Sequence, residues 1–468
     1  MRKLVCGGVA VFFLALAGMY LFWRLTAPNI VWICIDALRP DHVTCYGYRR
    51  ATSPHLDALA AEGVRFTTVY AQAGYTLASV PSFFTGRHPL SLGLWASSSY
   101  TKKLPARETT IAEILRWAGY QTAAYSGGAF VTPDFGLDQG FNEFFLPAVE
   151  QAAGEKDCVQ LIAQAVRWLE RKRRSPFFLY IHTYAVHDPY GAPAPFQGMF
   201  TPAERGAFLP AAPDADFYKM VRRGIIELDE RERAYLVGLY DEGIRYCDEQ
   251  IGRLLAALDR LRLRNNTLVI VSADHGEELF DHGRQGHGDV YECIAKVPLI
   301  MRWPGKIGAG RVVSSAVRLL DVAPTILDAA GIRGGALFRH QGRSLLPHIV
   351  GKERAYPCAE VIVGMDADAR LRLAVRNGAW KLIATASEPG GVIKPYRYEL
   401  YDLSAADSEK NDLFAARQDV AEDLQELLTE SLRLIPAVAR RAPPRFPGQE
   451  EPLLDAQTMR RLKSLGYL

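Results

Sequence analysis

Apolar residues along this chain fall into short bounded runs, separated by longer stretches in which they recur every three or four positions. The runs at 29–35, 176–181, 267–271 and 297–302 are too brief and too β-branched for helices. They are also too continuously apolar for strands with one wet face, so they predict parallel strands buried on both sides. A weaker run at 121–125 adds a fifth strand. Ser53 reads as an N-cap, with Pro54 at the first helical position and Gly63 as the stop. Helical spacing continues at 109–117, before Gly119, and at 157–173. In the stretch 230–261 it places Leu236, Leu239, Tyr240, Ile244 and Ile251 on one face. Strands alternating with helices predict an α/β fold with a mostly parallel sheet flanked by helices.

Both ends depart from this texture. After about residue 346 the runs 371–375, 380–383 and 399–403 predict antiparallel strands, followed by a helix at 421–434. This makes 346–435 a small C-terminal α+β subdomain on a main domain of 27–345. Residues 436–468 read as a tail, irregular where Pro and Arg crowd 436–452. At the start, Arg2 and Lys3 precede an uncharged run, 4–23, closed by Arg24. About 20 apolar residues at ~1.5 Å each span a ~30 Å hydrocarbon layer, so 1–26 is expected to be an N-terminal transmembrane helix. The leading cations favour a cytoplasmic N-terminus, with the following domain outside the cytoplasm. A cleaved signal peptide is the alternative, against which stand the length of the run, the lack of an A-x-A site and a strand beginning at 29.

Composition narrows the picture. With 49% hydrophobic and 23% charged residues the chain can bury a large core. A net charge of +3 is too small to imply a nucleic-acid partner. Seven scattered cysteines without a C-x-x-C exclude a zinc ribbon and a dense disulfide framework, leaving room for one or two bridges.

Candidate chemistry lies at the strand ends. One predicted strand runs into Asp36, another into His182, and a third into Ser272-Ala273-Asp274-His275-Gly276. Ligands of open α/β sheets bind beyond the carboxyl ends of the strands, so these side chains converge on one crevice. Carboxylates on apolar strands are costly unless they meet a cation or donors, and three such ends together point to a metal site. A second feature is Thr76-Leu77-Ala78-Ser79-Val80-Pro81-Ser82-Phe83-Phe84-Thr85-Gly86-Arg87. It puts hydroxyls at the mouth of a helix, where free N–H groups favour an anionic ester.

That segment resembles the signature of the sulfatase family: Cys or Ser, any residue, Pro-Ser-Arg, four residues, Thr-Gly-Arg. Thr85-Gly86-Arg87 matches its end, and counting back puts Thr76 at the nucleophile. The resemblance continues through Asn29 to Asp36, Ala273-Asp274-His275-Gly276, His287 to Glu292, Val297 to Ile300 with Pro304-Gly305, Asp321 to Leu327, Glu399 to Leu403 and the closing Leu465 to Leu468. It implies an alkaline-phosphatase-like sheet and an anionic ester substrate. Four departures qualify it. Thr76 cannot become formylglycine, the signature Arg is Val80, the usual second Asp of the first strand is Ala37, and Ser126-Gly127-Gly128-Ala129 lacks two sulfate-binding side chains.

The chain therefore resembles the threonine branch of the superfamily, which includes phosphoethanolamine and phosphoglycerol transferases and phosphodiesterases. That branch implies attack by Thr76 on phosphorus, beside a cation held by Asp36, Thr76, Asp274 and His275. One nitrogen and few ligands favour Zn2+, then Mn2+; Ca2+ prefers more oxygens. His187 stands where the family has a substrate-contacting His and His287 where it has a Lys, and His182 is a further candidate for catalysis. The expectation is a metal-dependent hydrolase or phosphotransferase for phosphoric or phosphonic esters, on a lipid or surface-glycan substrate. A sulfatase working without formylglycine and an inactive substrate-binding protein are the alternatives.

Overall fold

The computed structural model describes residues 26–95, 102–147, 157–172, 176–332, 338–352, 360–366, 368–387, 393–404, 408–435 and 454–465. Its main sheet contains β1 (Asn29–Ile35), β2 (Val64–Phe66), β3 (Gln121–Ser126), β4 (Glu143–Phe145), β5 (Phe177–Thr183), β6 (Thr267–Ser272), β7 (Leu299–Arg302) and β8 (Arg311–Val313). The order across it is β8-β2-β7-β6-β1-β5-β3-β4. Every residue of β1, β5 and β6 is buried, as expected of central strands covered on both faces.

Helices α1 (Pro54–Ala61), α2 (Thr76–Thr85), α3 (Ile111–Trp117), α4 (Cys158–Lys172) and α5 (Glu230–Arg260) flank the sheet. Capping boxes start α3, with Thr110 and Glu113, and α5, with Asp229 and Glu232. Ser53 does precede α1, but its hydroxyl is taken by the Thr44 amide at 2.9 Å and caps nothing. Aromatic packing fills the space between α2 and the sheet: Trp32 lies 4.8 Å from Phe83, and Phe84 4.7 Å from Tyr180, centroid to centroid.

One strand departs from expectation. β7 pairs antiparallel with both β6 and β2, although its sequence predicts a parallel strand. A parallel neighbour needs a crossover that returns the chain to the starting edge. Between β6 and β7 the only helix among the described residues is the short Glu292–Ala295, so the chain turns back directly. A continuously apolar run reports burial and is silent about direction.

The second sheet is antiparallel, β9 (Glu360–Met365), β10 (Leu371–Asn377), β11 (Trp380–Ser387) and β12 (Lys394–Asp402). Helix α6 (Gln418–Leu434) buries Leu424 and Leu428 against it. Strand β9 touches the main body beside the candidate site: the Gly74 amide donates to Val363 O at 3.0 Å and the Met365 amide to Gly288 O at 2.7 Å. The expected tail is partly ordered, since α7 (Ala456–Ser464), capped by Asp455, packs Leu462 against Leu77, Phe130 and Tyr184. A short, mostly polar helix behind a Pro-rich run gives little periodic signal. The described cysteines are free, with Cys158 and Cys247 Sγ 3.8 Å apart. The expected membrane helix at 4–23 lies outside the described residues, among which no helix is long and apolar enough to cross a membrane.

His88 joins the two sheets. Its Nε2–H donates to Val361 O at 2.7 Å, and its Nδ1 accepts from the Leu90 amide at 3.2 Å, which uses the neutral tautomer completely. Burial holds the imidazole down at about 4, against an ordinary 6.5, outweighing the carbonyl that favours its charge. The unfolded chain binds this proton first, so the contribution is whole above 6.5 and is lost as pH falls toward 4. Of the stability lost between neutral pH and pH ~4, about 3 kcal/mol is expected to come from His88. In urea unfolding across that range, His88→Asn should show a correspondingly shallower dependence, and an unchanged slope would contradict this.

Candidate active site

Three neighbouring strand ends build the site. The Asp36 amide, one residue past β1, donates to Thr183 O at the end of β5 at 2.9 Å. Ala37 follows at φ 61°, in the left-handed region, and its carbonyl accepts from the Tyr240 hydroxyl of α5 at 2.7 Å. Asp274 and His275 follow β6. The turn after them is fixed by the Gly276 amide, which donates to Ile294 O at 2.6 Å. A Cβ at 276 would lie 2.1 Å from Cys293 O, so the approach requires glycine. Ser79 ties α2 to the same turn, its hydroxyl donating to Asp274 O at 2.6 Å. Thr76 opens α2 after an extended Tyr75. Its Oγ1 sits 3.2 Å from Asp36 Oδ2 and 3.1 Å from His275 Nε2.

The protons in this cluster do not suffice for its lone pairs. His275 Nδ1 donates to Gly276 O at 2.8 Å, which leaves Nε2 as a lone pair. That nitrogen lies 3.6 Å from Asp274 Oδ2 and 3.7 Å from Asp36 Oδ1. Asp36 Oδ1 and both Asp274 oxygens have no hydrogen-bond partner, and all three side chains are wholly buried. Two carboxylates and an imidazole nitrogen aimed at one point, with the Thr76 oxygen as a fourth donor, fit a divalent cation.

His182 adds a second geometry: its Nε2 is 3.1 Å from Asp36 Oδ2 and its Nδ1 2.9 Å from the Tyr180 hydroxyl. Asp36, His182 and Asp274 each offer an atom within 4.8 Å of the others. With Tyr180 donating to Nδ1, His182 instead donates to Asp36 and positions it. Burial raises the Asp36 carboxyl, but the His182 hydrogen bond and the nearby His187 cation overcome it and hold the group below the usual carboxylate range.

Over this cluster stand the two remaining predicted residues. The His287 ring stacks on His275 with centroids 4.4 Å apart and meets His187 edge-on at 4.9 Å. His187 Nδ1 faces Asp188 twice, the carbonyl at 2.6 Å and Oδ1 at 3.0 Å. Burial opposes its charge, yet Asp188, with Asp36 and Glu277 behind, raises the imidazole to about 9. His287 goes the other way, well below its ordinary value, through burial and the charge of His187. One histidine is thus a cation and its neighbour neutral at pH 7.

The structure brings all seven predicted residues together and adds partners that sequence reasoning missed. Asp188 also binds Arg222 and, at 3.2 Å, the Gln285 amide. Glu277 Oε2 lies 3.3 Å from His287 Nδ1, and burial with Asp188 pushes this carboxyl up to about 8. Arg39 donates to Glu277 O at 3.1 Å while paired with Asp41 and Asp281. Asp188 and Glu277 each stand within two residues of a predicted histidine, which was the available signal. Arg222 carried none, because it reaches the site from the end of a helix, Ala215–Arg222, 34 residues from Asp188 in sequence. Val80 and Ala37, where the resemblance expects functional side chains, are wholly buried in the core.

A model of the sulfatase family matches residues 28–332, and one for the C-terminal part of N-sulphoglucosamine sulphohydrolase matches 281–435. Iduronate 2-sulfatase of Mus musculus is 26% identical over 384 residues, 65% of this chain and 69% of that protein. Steryl-sulfatase of Mus musculus is 29% identical over 408 residues, 69% of this chain and 65% of that one. Among solved structures, the phosphonate monoester hydrolase of Agrobacterium radiobacter superposes with a TM-score of 0.69 at 23% identity, covering 86% of this chain and 96% of the other.

The Asp188–His187 contact is open to direct measurement. His187 is charged at neutral pH and loses its proton as pH rises through about 9. Asp188→Asn removes the charge that holds this proton, so the midpoint should fall by about one pH unit or more. An NMR titration of the imidazole checks this; an unmoved midpoint would refute it.

Proposed function

The chain belongs to the sulfatase family, and from that premise we propose a metal-dependent hydrolase or phosphotransferase that cleaves phosphoric or phosphonic esters through Thr76. The observation that carries this reading is the position of Thr76 Oγ1, at the start of α2 and within 3.2 Å of Asp36 and 3.1 Å of His275. Asp36, Asp274, His275 and Thr76 would hold a divalent cation, with Zn2+ favoured over Mn2+ or Ca2+, and it would supply positive charge that eases ionisation of the threonine hydroxyl near neutral pH.

The chain's own groups account for the remaining work. Thr76 releases its proton to solvent and forms the Oγ1–P bond as the bond from phosphorus to the leaving oxygen breaks. His187, charged and held by Asp188, donates its proton to that leaving oxygen. His287, neutral and oriented by Glu277, lies against a non-bridging oxygen. Water or a second alcohol then attacks the phospho-threonine, and Thr76 leaves with its oxygen. His182 keeps Asp36 in place through both displacements.

Sulfuric esters are the second reading, favoured by relatives that are themselves sulfatases. Thr76 has a single hydroxyl, so a sulfo-threonine lacks the release route that a hydrated aldehyde provides, and phosphorus is preferred here for that reason. A body exported behind a membrane helix at 4–23, acting on a lipid or surface glycan, completes the proposal.

Thr76→Ala should abolish turnover with little change in Tm, and Asp274→Asn should lower bound metal as measured by atomic emission. Chelation should inactivate the wild type; full activity without metal would remove the site model. The kcat/KM for an aryl phosphonate or phosphodiester should exceed that for the matching sulfate by at least ~100-fold, about 2.7 kcal/mol of transition-state discrimination. Equal rates would restore the sulfatase reading.

A further inference from the structure

Two glycines follow β3, in the strand position next to His182. Ser126 pairs with His182 in the β3–β5 register, and the Gly127 amide donates to His182 O at 2.9 Å. What fills the space beside them comes from the far end of the chain. A Cβ at Gly128 would lie 2.3 Å from Arg461 Cδ and 2.6 Å from its Nη1. Arg461 belongs to α7, and its guanidinium replaces the side chain that position 128 lacks.

This cation is poorly compensated. Arg461 is only 5% exposed, and its Nη2 donates to Pro147 O. Its Nη1 has no hydrogen-bond partner, and the Asp455 and Asp157 carboxylates act on it only through space. Asp157, the acidic group beside this loop, spends its oxygens on the Thr183 hydroxyl and the Tyr184 amide, both at 2.8 Å. A buried charge left in this condition is costly unless something anionic arrives.

The neighbourhood leads back to the ester site. Leu462 packs in one cluster with Tyr184 and with Leu77, the residue after the nucleophile candidate. The Tyr184 ring lies 5.1 Å from His182 and 5.8 Å from His187, centroid to centroid. The end of β3 stands two strand spacings from β1 and Asp36, about 10 Å. That offset suits a group elsewhere on the same substrate.

We propose that Arg461 binds a second oxyanion of the substrate, carried on the leaving group about 10 Å from the ester under attack. The preferred substrates are then esters on an acidic scaffold, bearing a carboxylate or a further phosphate or sulfate. The assignment rests on the ester site proposed above.

The test uses coumarin esters whose leaving groups differ only in a methyl against a carboxymethyl arm, prepared both as phosphonates and as sulfates. Wild type should prefer the carboxymethyl ester. Arg461→Met should lower kcat/KM on that ester about 10- to 100-fold, mainly through KM, and change the methyl ester less than ~3-fold. Arg461→Lys should recover most of the preference, which loosened packing of α7 would not produce. Equal losses on both esters, or no loss on either, would overturn the assignment. So would a wild type indifferent to the arm, which decides the matter even if Arg461→Met does not fold. If the sulfate pair is the one turned over, the phosphorus reading fails while the contrast between arms is still read.

Discussion

Asp36 and Asp274 stand at the ends of adjacent buried strands, their carboxylates turned toward one point with three oxygens unpaired. Like charges this close, in a buried low-dielectric interior, repel strongly unless a cation lies between them. Much of the surrounding architecture serves to hold that arrangement. The β1–β6 register sets the spacing, Gly276 allows the close turn under Cys293 O, and Ser79 clamps the Asp274 carbonyl. The same clamp brings in α2 and therefore Thr76. The position of Thr76 is thus a consequence of how the Asp36–Asp274 pair is braced.

Charged groups around that pair divide labour among the histidines. Asp188, neutralised by Arg222, keeps His187 protonated, while His287 pays for its place between two other imidazoles by staying neutral. The C-terminal sheet participates from behind. Strand β9 is bonded to Gly74, two residues before Thr76, and to Gly288, directly after His287. Arg372 on β10 reaches Asp289 at 3.3 Å. The two segments that carry Thr76 and the neutral histidine are therefore fixed by a sheet distant in sequence, and α7 adds a third contact beside Leu77.

Much of this was legible in the sequence. Continuous apolar runs located β1, β5 and β6 to within two residues, because central strands buried on both faces leave no other reading. Their terminal Asp and His residues stood out because a charge at the end of such a run needs a reason. Less legible was anything set by pairing across the chain. The direction of β7, the Asp188–Arg222 pair and the reach of Arg461 into the Gly127–Gly128 gap depend on contacts between segments separated by 27 to more than 300 residues. Helix α7 was hidden by its polarity and by the Pro-rich run before it, and β9 by its place at the edge of a small sheet.

The central claim is that Thr76 is covalently modified during turnover. Mass spectrometry of the protein, quenched with acid while turning over an aryl phosphonate, measures this directly. The account predicts a phosphonyl adduct on the peptide containing Thr76, localised to that residue and absent from Thr76→Ala. Active enzyme that shows no adduct, or one on a different side chain, would contradict it.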